Sequence, residues 1–159
     1  MRTISKKTQY SLRALYALAR SYGQGPVLIS KLAQQENIPL QFLEQILLGL
    51  RRDGLVESRK GKGGGYLLSK SPEEVTIGNV IRLIEGPLAP LPCASERAFR
   101  KCDECTDIRF CGTRFVMRQV RDATANILDQ VTLATVVRQI DEARAAAGTD
   151  DGDPLMYHI

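Results

Sequence analysis

Residues 28–54 read LISKLAQQENIPLQFLEQILLGLRRDG, and their pattern decides the fold. Ile29, Leu32 and Ala33 recur at helical spacing, which predicts a short helix from about Leu28 to Glu36, cut by Asn37-Ile38-Pro39. A second helix is expected to begin at Pro39, where proline's missing N–H costs nothing. It carries Leu43, Ile46, Leu47 and Leu50 to a stop at Asp53-Gly54. Two helices joined by so tight a connection make a helix-turn-helix.

Upstream, Leu12, Leu15, Tyr16, Ala19 and Tyr22 predict a core-forming helix from about Thr8 to Tyr22, stopped by Gly23 and Gly25-Pro26. Downstream the period changes. Leu55-Val56 and Tyr66-Leu67-Leu68 are short strand signals, joined by residues 57–65, so a β-hairpin wing is expected. Thr76 is a plausible cap for a helix with the face Ile77, Val80, Ile81 and Ile84, ended by Gly86-Pro87. From Leu88 to Phe110 periodicity disappears. Phe115, Val116, Val120, Ala123 and Ile127 then define a long helix, and Thr132 caps another with Leu133, Val136, Val137, Ile140 and Ala143. The fold class is therefore mostly α with a small β-hairpin wing. The tail from Gly148, with Asp150, Asp151 and Asp153, is expected to be solvated and mobile.

The 159 residues are 43% hydrophobic and 25% charged, which describes a globular chain rather than a disordered one. With no Trp and 6% aromatics, the core must be aliphatic. Apolar runs break well before the roughly 18 residues of a membrane span, and the N-terminus shows no secretory signal, so a cytoplasmic protein is expected. No Ser/His/Asp constellation or phosphate-cradling motif is present, which argues against an enzyme and against a small-molecule substrate. The net charge of +4 is lopsided. Residues 1–70 hold 12 Lys/Arg against 4 Asp/Glu, a balance of +8, and residues 71–159 hold 10 against 14, a balance of −4. The first half suits a polyanion.

For such a fold the expected partner is double-stranded DNA. The second helix of the motif would enter the major groove, where Gln41, Glu44 and Gln45 can meet base-edge donors and acceptors. Arg59, Lys60 and Lys62 lie on a glycine-rich tip suited to phosphates or a narrow minor groove. Lys6, Lys7, Arg51 and Arg52 would add phosphate contacts that set register. The alternative is a solvated basic face on a protein-interaction or electron-transfer module that touches no DNA. The basic excess is confined to the segment bearing the motif, and that favours DNA.

All four cysteines lie in one stretch, Cys93-x8-Cys102-x2-Cys105-x5-Cys111. In a reducing compartment such a cluster is more often a metal or redox site than a disulfide framework. Four thiolates match the ligand count of 2Fe-2S or 4Fe-4S centres, and equally a tetrahedral zinc site. Spacing alone does not separate them.

Ser5-Lys6 with Tyr10, Phe42-Leu43-Glu44-Gln45, Gly54-Leu55-Val56 and Gly61-Lys62-Gly63-Gly64-Gly65-Tyr66-Leu67-Leu68 resemble the IscR-type family of bacterial winged-helix regulators. The likeness continues through Val75-Thr76-Ile77-Gly78, Ile84-Glu85-Gly86, the cysteine stretch and Val131-Thr132-Leu133-Ala134. The resemblance implies a homodimeric transcription regulator bound to a palindromic operator, with the long helix after the cysteines crossing onto its partner. The likeness reaches to about residue 140, and with the reading of the residues it divides the chain into an expected winged helix-turn-helix over residues 1–86, a cysteine-rich sensor loop over 87–112, dimerisation helices over 113–147 and a flexible tail over 148–159. Carried onto this sequence, base-reading positions fall on Gln41, Glu44 and Gln45, and the minor-groove position on Lys60 beside Arg59. The tip departs from the family's basic residue and proline by reading Lys60-Gly61-Lys62.

In several members an iron-sulfur cluster modulates operator binding in response to redox, iron-sulfur status or nitric oxide, so the resemblance favours iron over zinc. Cys105 and Cys111 match the family's last two cysteines, with Cys93 the third. Family members take the fourth ligand from a histidine three residues after the last cysteine, or from an acidic residue of the partner's first helix. Here those places hold Arg114 and Thr8. The only histidine is His158, near the C-terminus. The expectation is an all-cysteine cluster in which Cys102 replaces the missing ligand, with a three-cysteine cluster and a free, oxidisable Cys102 as the rival. Loss of the cluster would relax the loop and shift the recognition helices from the separation of about 34 Å that consecutive half-sites need.

Overall fold

A computed structural model describes residues 4–148; the expected mobile tail beyond Gly148, with His158, lies outside the described residues. Six helices and one hairpin follow in chain order: α1 (Lys6–Arg20), α2 (Ile29–Gln35), α3 (Leu40–Arg52), β1 (Val56–Arg59), β2 (Gly65–Leu68), α4 (Ile77–Glu85), α5 (Gly112–Gln130) and α6 (Leu133–Ala147). No helix of the described residues is long and apolar enough to cross a membrane.

Helix boundaries follow capping chemistry. The Ser5 hydroxyl accepts from Thr8 N–H, so α1 starts two residues before the expected Thr8. Between α2 and α3 the turn rests on Asn37, at φ +49, a left-handed conformation that asparagine tolerates. Pro39 is the residue before α3 rather than its first member. Its ψ of 129° is extended, and its carbonyl accepts from Leu43 N–H at 2.9 Å. The Thr76 and Thr132 hydroxyls cap α4 and α6 as the sequence predicts, accepting from Asn79 N–H and Thr135 N–H. These two caps also pair with each other: Ile77 N–H donates to Val131 at 2.8 Å and Leu133 N–H to Val75 at 2.9 Å. That bridge ties the junction of α5 and α6 to the segment that enters α4.

The hairpin is longer than its apolar letters suggest. β1 pairs antiparallel with β2 from Val56↔Leu68 to Arg59↔Gly65, so Glu57, Ser58 and Arg59 are strand rather than connection. Val56 is buried and Glu57 and Arg59 are exposed, the alternation of a one-sided strand. Val27 extends the pairing on the far side of β2, exchanging two 2.8 Å hydrogen bonds with Tyr66.

The core is aliphatic. Leu15, Leu18, Leu32, Leu43, Leu47, Val56, Val75, Val80 and Leu133 are fully buried, each side chain contributing about 1.5–3 kcal/mol of transfer free energy. α6 packs on α1 and is pinned at its edge by Arg20 and Asp141, 3.0 Å apart. α5 packs on α4, where Arg82 grips Asp129 through two hydrogen bonds of 2.5 and 2.7 Å. Between α4 and α5 the chain has two 3-10 turns, Pro92–Ala94 and Ile108–Phe110.

Candidate nucleic-acid interface and cysteine cavity

Burial divides α3 into two faces. Leu43, Ile46, Leu47 and Leu50 point into the core, while Gln41, Glu44 and Gln45 are exposed together at spacings of three and one. Gln45 lines a surface groove of about 570 Å³ with Lys7 and Arg52, floored by Phe42, Ile46, Leu48 and Gly49. The Phe42 ring is held edge-on by Tyr10, with centroids 5.6 Å apart. Phe42 and Leu48 are exposed beside these polar side chains; the apolar periodicity of α3 passes over both, and Phe42 enters the sequence reading only through the Phe42-Leu43-Glu44-Gln45 motif.

The basic candidates separate in the same way. Lys6 and Lys7 are exposed at the start of α1. Arg51 is partly engaged: its Nη1 donates to Ser58 Oγ at 2.9 Å, bracing α3 against β1. Arg59 ends β1, and Lys60 and Lys62 stand exposed on the tip. None of these three forms an ion pair with another described residue. The tip is closed by a 3.0 Å bond from Gly64 N–H to the Gly61 carbonyl. A Cβ on Gly64 would sit 2.3 Å from the Arg59 carbonyl oxygen, which is why the wing needs a glycine there.

All four cysteines line one cavity of about 520 Å³, together with Leu91, Glu104, Thr106, Asp107, Phe110 and Thr113. Cys93 is buried in the Pro92–Ala94 turn, Cys105 and Cys111 are half-buried, and Cys102 is exposed at the rim; none is in a disulfide. Burial pushes the Cys93 thiol up, and its hydrogen bond to Cys102 and the nearby Cys102 and Cys111 sulfurs push it further the same way. Among the described residues no three His, Cys, Asp or Glu side chains are drawn together as an assembled metal site. In donor type and number the cavity fits a four-thiolate centre, since it gathers four sulfurs separated by up to eighteen positions of chain.

The two places where the resembling family finds its fourth ligand are otherwise engaged. Thr8 is fully buried, and its hydroxyl donates to Glu85, whose carboxylate also accepts from Ser5 N–H at 2.8 Å. Arg114 donates from Nε to the Cys93 carbonyl at 2.9 Å. A second arginine of α5, Arg121, is buried and donates from Nη1 to the Ala94 carbonyl at 2.6 Å. Sequence reading missed this pair, because backbone carbonyls of an aperiodic segment leave no pattern. Away from these arginines α5 exposes Val116, Val120 and Ile127.

Comparison with known proteins agrees with this architecture. The family model Rrf2, described as an iron-dependent transcriptional regulator, matches residues 4–139. An rrf2-like HTH-type transcriptional regulator of Rhodobacter capsulatus is 41% identical over 133 residues, covering 82% of this chain and 89% of that protein. The solved structure of CymR, the global cysteine regulator of B. subtilis, matches with a TM-score of 0.73 at 32% identity, covering 87% of this chain and 98% of that one. T. potens IscR matches with a TM-score of 0.71 at 31% identity, covering 89% and 90%. Proteins so named regulate transcription, and this chain is likewise not an enzyme. With the helix-turn-helix, the wing and α5 all inside the matched residues, the chain belongs to the Rrf2 family of helix-turn-helix transcriptional regulators.

Proposed function

We propose that the protein acts as a homodimer on a palindromic DNA operator, and that an iron-sulfur cluster held by Cys93, Cys102, Cys105 and Cys111 sets its affinity. The observation that carries this reading is the convergence of all four thiols on one cavity, in the segment joining α4 to α5. The description of the matching family as iron-dependent supports iron over zinc. A bound cluster supplies one-electron redox chemistry and reactivity toward oxidants and nitric oxide.

The chain's own residues do the rest. Gln41, Glu44 and Gln45 present amide and carboxylate groups to base edges. Arg59, Lys60 and Lys62 meet phosphates or the minor groove, while Lys6, Lys7, Arg51 and Arg52 fix register on the backbone. Val116, Val120 and Ile127 form an apolar stripe on α5 that a second copy covers. Cys102 serves as the fourth ligand in place of the residues that Arg114 and Thr8 have displaced.

Anaerobic purification with iron and sulfide analysis tests the cofactor. Iron and acid-labile sulfide accompanied by visible absorption are expected; a colourless protein with zinc and no sulfide overturns the cluster and leaves a zinc or thiol-switch regulator. Cys102→Ala should lose or alter the absorption, and an unchanged spectrum removes Cys102 from the ligand set. For DNA, binding should weaken steeply between about 50 and 200 mM salt and collapse in an Arg59→Ala/Lys60→Ala variant. Binding indifferent to both defeats the DNA contacts assigned here.

A further inference from the structure

The buried turn that carries Cys93 is tied to α5 by side chains that no thiol chemistry requires. Arg114 holds the carbonyl of Cys93 and Arg121 the carbonyl of the next residue, Ala94. The two arginines are seven residues apart, about two turns of a 3.6-residue helix, so they leave α5 from one face. Arg121 is only 8% exposed, and its other donors are taken by Asp122 and by Glu96 at 3.0 Å. Of the acceptors around this buried guanidinium only the Ala94 carbonyl lies on the turn, and with the Arg114 bond to Cys93 it gives two bonds to successive carbonyls, which fix both the position and the rotation of that turn against the helix. Cys93 therefore faces two ways. Its thiol lines the cavity, and its carbonyl is bonded to the helix whose far side carries Val116, Val120 and Ile127.

We propose that Arg114 and Arg121 are positioning residues that couple the cysteine cavity to α5, so that a change in what the thiols hold reaches the helix between the two recognition units. This rests on the cysteine-governed DNA binding proposed above. Sulfurs that close on a bound group or separate when it leaves drag the Pro92–Ala94 turn. The two guanidinium bonds pass that displacement to α5 rather than letting the loop absorb it. Arg114 thus occupies the position of a ligand in the resembling family and does a different job: it binds a ligand's backbone.

The test compares the full-length protein with Arg114→Met, Arg121→Met and the double variant, which keep chain length and remove the donors, and with Arg121→Lys as partial rescue. Each is reconstituted anaerobically with ferrous iron and sulfide, then emptied with a chelator. Operator affinity and hydrogen exchange of α5 amides are measured in both states. In the unsubstituted protein the two states should differ in operator affinity by about tenfold, with a matching change in α5 exchange. In the double variant, iron and sulfide content and the emptied protein's affinity should stay as in the unsubstituted protein, while the ratio falls below about twofold and the α5 exchange change vanishes. Arg121→Lys should recover part of both.

Variants that retain the full ratio and the full α5 response overturn the coupling and leave the regulator intact. An unsubstituted protein whose affinity and exchange ignore the cavity overturns both. If Arg121→Met fails to fold, Arg114→Met decides alone, since Arg114 is half-buried and outside the core. A ratio there equal to that of the unsubstituted protein overturns the coupling.

Discussion

Gly65→Ala tests whether the wing is held where the DNA contacts require it. Gly65 sits at φ +151, and a Cβ there would lie 2.2 Å from the Val27 carbonyl oxygen and 2.9 Å from Leu28 N. Both neighbours are backbone, so neither can swing aside. The clash falls on the two 2.8 Å hydrogen bonds that Val27 and Tyr66 exchange. Losing both costs about 2 kcal/mol, and forcing a non-glycine residue into that backbone region adds on the order of 1 kcal/mol. For a chain of this length about 3 kcal/mol corresponds to a fall in Tm of roughly 6–12 °C. Because Gly65 is the register partner of Arg59, the same change displaces Arg59 and the tip beyond it. Operator affinity should then fall by about tenfold or more at physiological salt. Gly63→Ala is the control. Gly63 has φ +77 but open space around its Cβ position, so it should show backbone strain of about 1–2 kcal/mol without unseating Val27. Circular dichroism melts and fluorescence anisotropy titrations measure the two quantities. A Gly65→Ala protein that melts within about 1 °C of the parent and binds DNA equally well would falsify the role given to this contact.

Other expectations are simpler. Thr132→Ala removes the hydroxyl that caps α6 and should cost about 1 kcal/mol by denaturant unfolding; Thr132→Asn should restore most of it. The hydrogen bond from Arg82 holds the Asp129 carboxyl below its ordinary 3.8, so the pair's stabilisation is present above that value and is lost as pH falls through the lowered one. Asp129→Asn should accordingly flatten the acid limb of the Tm-against-pH curve below about pH 4, and an unchanged limb contradicts the pairing. Ile127 is 64% exposed on the apolar stripe of α5. Ile127→Asp should shift the protein to monomer in sedimentation experiments with little loss of monomer stability; a persistent dimer places the interface elsewhere.

Much of this architecture was legible because local chemistry and tertiary packing agree. Ile29, Leu32, Leu43 and Leu47 announced the helix-turn-helix, and the Thr76 and Thr132 caps were readable as single residues. Where the reading fell short, the cause was interaction across the chain. Glu57 and Arg59 carry no strand signal, and they are strand because β2 pairs with them while their side chains face water. The polar side chains proposed to read bases were visible as the complement of a buried face on α3, and the structure leaves Gln41, Glu44 and Gln45 exposed together. The cysteines could be counted in sequence, but their convergence on one cavity depends on two 3-10 turns in a segment without periodicity. Arg114 and Arg121 were illegible for a related reason: a charged residue on a long helix reads as solvated, and nothing in the letters marks the carbonyls that bury it.

The most direct test takes one anaerobic preparation and titrates it against its operator before and after removal of the metal, with iron and sulfide counted in the same sample. An affinity that changes by about tenfold as iron and sulfide leave, and returns on reconstitution, is the predicted result. An affinity that stays constant while the cofactor is removed, or a preparation that binds DNA fully with no iron or sulfide ever present, contradicts it.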